Sequence, residues 1–341
     1  MREFNKTAIA TLILMVLLSL TTAAQIVKKA QVGFRFLENP VAAEVIGRGT
    51  VGVVSTFTAN GIFWNPAQIG WLNSTTDVSL GYTKGIADIN YSTVAGAVNL
   101  SNFGVIGVSL MMMDYGTFEG TRRASNADGY VRTGAFSPKA YAAGLAFSQM
   151  VSERFSYGVH VKYVSQDLGS AFVAATGTSI DDPALVIESR AYATQTLAAD
   201  VGAIYDFRYN GIRFGAVLHN ISRELQYESE KYPLPFAVTF GATVNPLEFF
   251  MEGTDTKNFV LSFESHHPRD FSEKIKVGAE YALMEMIHLR AGYMFNYDER
   301  GFTAGVGVQS AEAGVPLRVD YAYQPFGIFG GVHHFSLSAS Y

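Results

Sequence analysis

The residues that could do chemistry in this chain share a position in pattern. His160, Lys162, Arg213, His219, Glu264, Lys276, Glu280, His288, Arg290, Arg318, Asp320 and His334 each stand in a run where apolar and polar residues alternate. All fall on the polar side of their run. Signs alternate between successive runs: Glu264 before Lys276, Glu280 before His288 and Arg290, then Arg318 with Asp320. Opposite charges on neighbouring strands can form an ion-paired ladder, and buried charge left unpaired is costly. The sharper alternative is a polar permeation path along the same residues. The histidine pairs His266-His267 and His333-His334 suggest metal ligands, but adjacent strand residues point to opposite faces and cannot readily chelate one ion. No Gly-x-Ser-x-Gly elbow, phosphate loop or His-Glu-x-x-His motif occurs. Asp181-Asp182-Pro183 and Asp298-Glu299-Arg300 read as solvated turns with too few oxygen ligands for calcium. Neither a catalytic residue, a metal site nor a cofactor is expected.

The elements that must carry these residues are strands. Ile287, Leu289, Ala291, Tyr293, Phe295 and Tyr297 share one face; Phe302, Ala304, Val306 and Val308, then Leu317, Val319, Tyr321 and Tyr323, repeat the period. Phe335, Leu337, Ala339 and Tyr341 close the chain opposite His334, Ser336, Ser338 and Ser340. Period-two alternation marks a sheet with one oily and one polar face. Strands are expected at 77–84, 88–99, 103–115, 139–150, 155–167, 191–206, 211–221, 235–244, 258–266, 273–282, 287–297, 301–309, 315–324 and 331–341. This is an all-β chain, a transmembrane antiparallel β-barrel of about 14 strands, even as single-chain bacterial barrels require. The longest breaks, 116–138, 168–190 and 222–234, then fall at one end, the asymmetry expected of outer loops. The break at 245–257 is the exception, a long turn on the periplasmic side.

Composition agrees. Charged residues are 16% and aromatics 13%, with 18 Tyr and 25 Phe, as lipid-facing walls and aromatic girdles demand. After the N-terminus no apolar run approaches the roughly 20 residues of a membrane helix. Residues 1–24 read as a secretory signal: Arg2 and Lys6, the apolar Ala8–Leu20, then Thr22-Ala23-Ala24. The chain carries net charge −5, and a segment holding Arg2, Glu3 and Lys6 contributes +1, so the remainder carries −6. Nucleic-acid binding has no electrostatic support. The absence of cysteine suits an exported protein without disulfides.

Residues 25–76 break the alternation. They hold Gly47, Gly49, Gly52, Gly61 and Gly70 and the aromatics Phe57, Phe63, Trp64 and Trp71, with a kink at Asn65-Pro66. Too apolar for a free tail, the segment is expected to pack inside or under a barrel spanning 77–341. In 103–115 both faces are apolar, and the Met111-Met112-Met113 run could line a hydrophobic pocket or pack against an inner plug. The loop Pro325–Gly331 is apolar where exposure is expected, which marks an interaction site or a fold back into the barrel mouth. Loop 222–234 mixes charged residues with Tyr227 and Tyr232 and is a candidate for partner contact.

Phe36-Leu37, Gly47-Arg48-Gly49, a glycine-rich apolar run and then Phe63-Trp64-Asn65-Pro66-Ala67 resemble the amino-terminal signature of the PorV/PorQ family, a branch of the FadL-like outer-membrane proteins. Ala67-Gln68-Ile69 departs from the family's usual Ala-Gly-Leu, and Glu44-Val45-Ile46 from a more basic stretch containing Met. The resemblance implies an N-terminal internal hatch built on Trp64, Asn65, Pro66 and Ala67. It implies a membrane-insertion signal in Phe335, Leu337 and Tyr341, and a home among outer-membrane lipid. It further implies type IX-like protein secretion and surface attachment, with a translocon and exported proteins as partners. The alternative is FadL-like transport of hydrophobic small molecules, which would place Met111 and Met113 at an apolar pocket.

Overall fold

The alternation closes on itself. The computed structural model describes residues 32–176, 186–251, 258–284, 286–310 and 316–341. Strands β1 (Thr76–Lys84), β2 (Asn90–Asn99), β3 (Val105–Asp114), β4 (Lys139–Ser152), β5 (Phe155–Thr176), β6 (Val186–Asp206) and β7 (Arg213–Ser222) form one half. Strands β8 (Ala237–Val244), β9 (Phe259–Pro268), β10 (Lys274–Leu283), β11 (Ile287–Met294), β12 (Phe302–Ser310), β13 (Leu317–Pro325) and β14 (Gly331–Ser340) form the other. Each pairs antiparallel with the next, and β14 pairs with β1, giving a closed fourteen-stranded barrel. At the seam Thr76 and Tyr341 exchange two backbone hydrogen bonds of 2.8 Å. A closed ring leaves no strand edge to satisfy.

Parity sorts the two faces as a lipid-facing barrel needs. Leu80 and Tyr82 on β1, Leu289 and Tyr293 on β11, and Phe335 and Leu337 on β14 are exposed. Asp77, Ser79, Arg290, Ser336 and Ser338 on the same strands, and Asp320 on β13, are buried inside. Buried polar groups on the inner wall require partners, and the N-terminal segment supplies many of them. It enters near the long connections, where Gly33 N–H donates to Pro233 O at 3.1 Å, and reaches the opposite end at Thr76. Between these points it forms two single-turn helices, α1 (Ala43–Ile46) and α2 (Gly61–Trp64), and two 3₁₀ stretches, Arg35–Glu38 and Pro66–Trp71.

Glycines in the wall let this segment approach. Gly158 and Gly202 face each other across β5 and β6, against Pro66 and Asn65 respectively. Gly278 and Gly292 face each other across β10 and β11, against Arg48 and Gly49. A Cβ at any of these four positions would overlap the segment's atoms.

Three expectations are corrected. The break expected over 168–190 is largely strand: β5 and β6 have 22 and 21 residues, against the roughly 9–11 that cross a bilayer. Their paired ribbon projects beyond the neighbouring strands, its register slipping between Asp167 and Ser170 around Gly169. The loop over 116–138 holds a hairpin, Phe118–Arg123 with Tyr130–Phe136, and 222–234 holds a two-residue pairing, Leu225–Gln226 with Lys231–Tyr232. Tyr297, expected on the oily face, lies past the end of β11 and turns to the barrel mouth because Asn296 adopts φ 63°. The readings of 1–24, of 25–31 and of Asp181-Asp182-Pro183 lie outside the described residues, as do residues 252–257 of the expected long turn.

Candidate ligand cavity and its polar wall

A cavity of about 480 Å³ lies between the N-terminal segment and the wall, towards the long-connection end. One side is the segment itself: Leu37, Val41, Val53, Phe63 and Trp64. Trp64 is set by its indole N–H, which donates to Val41 O at 3.2 Å. Asn65 is fully buried, donates through Nδ2 to Val53 O at 3.0 Å and accepts from Ala67 N–H at 3.0 Å, capping Pro66–Trp71. Ala67 O in turn accepts from the Ser156 hydroxyl at 3.0 Å. The expected Trp64–Ala67 motif therefore fixes the cavity floor to β5 and β6.

The expected ladder resolves into two groups. Lys276 Nζ and Glu264 Oε1 are 2.7 Å apart, directly opposite each other on β10 and β9, and both line the cavity. Glu264 Oε2 also accepts from Gly52 and Val53 backbone N–H at 2.9 and 3.2 Å, so this pair grips the segment. The second group lies nearer the short-turn end. Arg290 contacts Glu280 at 2.5 Å and Asp320 at 2.7 Å, Arg318 lies 2.9 Å from Asp320, and His288 lies 3.5 Å from Glu280. Arg48 of the segment joins it, 3.2 Å from Glu280. Arg290 and Asp320 are both wholly buried, so each charge depends on the other.

The methionines separate. Met111 lines the cavity, Met112 faces outward, and Met113 is buried against the segment, where Asn39 Nδ2 donates to its sulfur at 3.5 Å.

The most elaborate part of the wall centres on Asp200, which the sequence reading did not single out. Register between β6 and β7 shifts at Ala199/Val201, so His219 and Asn220 together stand opposite Asp200. Asn220 adopts φ 57°, a left-handed conformation asparagine tolerates, and this bulge directs both side chains inward. Asp200 receives Lys162 Nζ at 2.9 Å, the Asn220 backbone N–H at 2.8 Å and His160 Nδ1 at 3.2 Å. His160 Nε2 meets Ser109 Oγ at 2.8 Å. The connectivity Ser109–His160–Asp200 has the order of a nucleophilic triad. Its Asp, however, is neutralised by Lys162, and the backbone around Ser109 is committed to ladders with β2 and β4. The arrangement is a hydrogen-bond anchor. The only advance sign of Asp200 was its polar character at an inward position of an apolar strand.

The mouth is ringed by Arg35, Glu38, Asp298, Glu299, Arg300 and Phe326. Asp298-Glu299-Arg300, expected as a solvated turn, thus borders the cavity. Arg300 stacks over the Phe326 ring at 4.5 Å, and burial pulls its guanidinium below the ordinary value. Burial raises the Glu38 carboxyl above its ordinary range, while Arg35, 2.9 Å away, opposes that shift. Phe326 folds inward, whereas Ile328 and Phe329 of the same apolar loop stay exposed.

No family model and no curated protein sequence matches the chain. Solved structures do match. The Ralstonia pickettii toluene transporter TbuX is 12% identical with TM-score 0.59, covering 93% of this chain and 98% of its own. The Pseudomonas putida toluene transporter TodX is 12% identical with TM-score 0.58, covering 92% and 98%. A Pseudomonas aeruginosa FadL homologue is 12% identical with TM-score 0.57, covering 89% and 98%. This chain shares the FadL-like barrel fold.

Proposed function

We propose that this chain is an outer-membrane channel for small hydrophobic molecules, as the FadL-like alternative of the sequence reading holds. One observation carries the proposal: a cavity faced by Leu37, Val41, Phe63, Trp64 and Met111 lies above the N-terminal segment and opens among the long connections. Long connections are the outer ones in barrels of this kind, so the cavity faces the cell exterior and the segment serves as a hatch beneath it. The fold shared with toluene transporters supports the same reading. Residues 1–24 act as the export signal in this scheme, and Phe335, Leu337 and Tyr341 as the insertion signal. The decisive experiment is uptake of ¹⁴C-toluene into proteoliposomes. Uptake above that of protein-free vesicles supports the channel, and equal uptake refutes it.

A role in protein secretion, the PorV/PorQ reading, rests on a different observation. The β5–β6 ribbon and the Ile328–Phe329 loop present exposed apolar side chains beyond the barrel at the outer end. Secretion partners recovered with the tagged barrel from its native membrane, together with absent toluene uptake, would favour that reading instead.

A further inference from the structure

The cavity is not that of a plain hydrocarbon site. Its segment side sets Leu37, Val41, Val53, Phe63 and Trp64 beside Asn39 and Thr50, and the opposing wall carries His219 on β7 and His266 on β9, flanking β8. His219 is turned inward by the bulge at Asp200, and its Nδ1 stands 3.8 Å from Asp200 Oδ1, too far for a full hydrogen bond. His266 Nδ1 meets Thr239 Oγ1 at 2.8 Å, and its Nε2 has no partner among the described residues. Both rings line the cavity and retain hydrogen-bonding capacity towards it. Of the nearby charges, Lys162 is taken by Asp200 and Asn220 and Lys276 by Glu264, while Lys274, opposite His266 on β10, lies over the Phe271 and Tyr297 rings.

We infer that the cavity selects compact aromatic alcohols of the phenol class over bare hydrocarbons, the hydroxyl docking at His219 and His266 and the ring against Phe63 and Trp64. The inference rests on the proposed function and narrows its substrate class. A volume of about 480 Å³ admits a single-ring compound with room to spare. A hydroxyl can satisfy an imidazole nitrogen as donor or acceptor. A hydrocarbon in the same place leaves that nitrogen dry and unpaired, a penalty that polar sites exploit to reject analogues lacking the group.

Equilibrium dialysis of the full-length barrel in detergent, with ¹⁴C-p-cresol and ¹⁴C-toluene, tests this. The wild-type protein is expected to bind p-cresol at least about tenfold more tightly than toluene. His219→Phe with His266→Phe should reduce that ratio to near unity while toluene binding persists, and His266→Gln should retain the preference. Equal wild-type affinities would overturn the inference and leave the channel standing. A preference surviving in the double Phe variant would overturn the assignment to these histidines. Binding of neither compound by the wild-type protein would overturn the channel as well.

Discussion

Lys276 and Glu264 illustrate what a buried pair does at the scale of single residues. The two charges neutralise each other, and Glu264 also secures the Gly52 and Val53 amides. Lys276→Met should cost about 3–5 kcal/mol, because it strands a carboxylate, whereas Lys276→Met with Glu264→Gln should cost markedly less. Urea unfolding in micelles would measure both, and equal losses would refute the view that the stranded charge is the main penalty. This pair was legible in the sequence because regular strands preserve parity: Glu264 and Lys276 face each other as two inward residues must. Asp200 and Asn220 were not legible. Their meeting depends on an extra residue in β7, and a bulge changes which face a side chain takes without any mark in the local composition.

Among elements, the wall and the segment fit through paired glycines. Gly292→Val places side-chain atoms where the Gly49 backbone lies, so the segment should be displaced while the strands still pair. The expected outcome is a barrel that reaches the membrane at normal levels but shows higher single-channel conductance in planar bilayers; unchanged conductance would count against the segment as a seal. Asn65→Ala removes the cap on Pro66–Trp71 and the hold on Val53, at about 0.5–2 kcal/mol. It should leave outer-membrane levels intact and lower toluene uptake, which immunoblotting and proteoliposome transport would report. The existence of the fourteen strands was readable from the two-residue period, since one face meets lipid along every strand. The reach of β5 and β6 was not, because beyond the bilayer both ribbon faces meet water and the alternation loses its cause. Tyr297 was misplaced for a related reason: one left-handed residue, Asn296, ends the parity that the apolar series had suggested.

For the whole molecule the controlling event is closure. Tyr341 contributes both its N–H and its C=O to the seam with Thr76, while its side chain stays exposed. Deleting Tyr341 should therefore lower the amount of barrel recovered from the outer membrane severalfold, measured by heat-modifiable migration of membrane fractions. Normal recovery would refute a role for Tyr341 in assembly.

The segment runs through the ring from Gly33, tied to Pro233 at one mouth, to Thr76, tied to Tyr341 at the other. Topologically it is a thread in a needle's eye, and the eye is completed where β14 meets β1. A lumen already filled with interlocked charges offers a poor route for pulling some forty residues through afterwards. Assembly thus favours an order in which β14 meets β1 around a segment already laid in place, making the plug a mould on which the wall is closed.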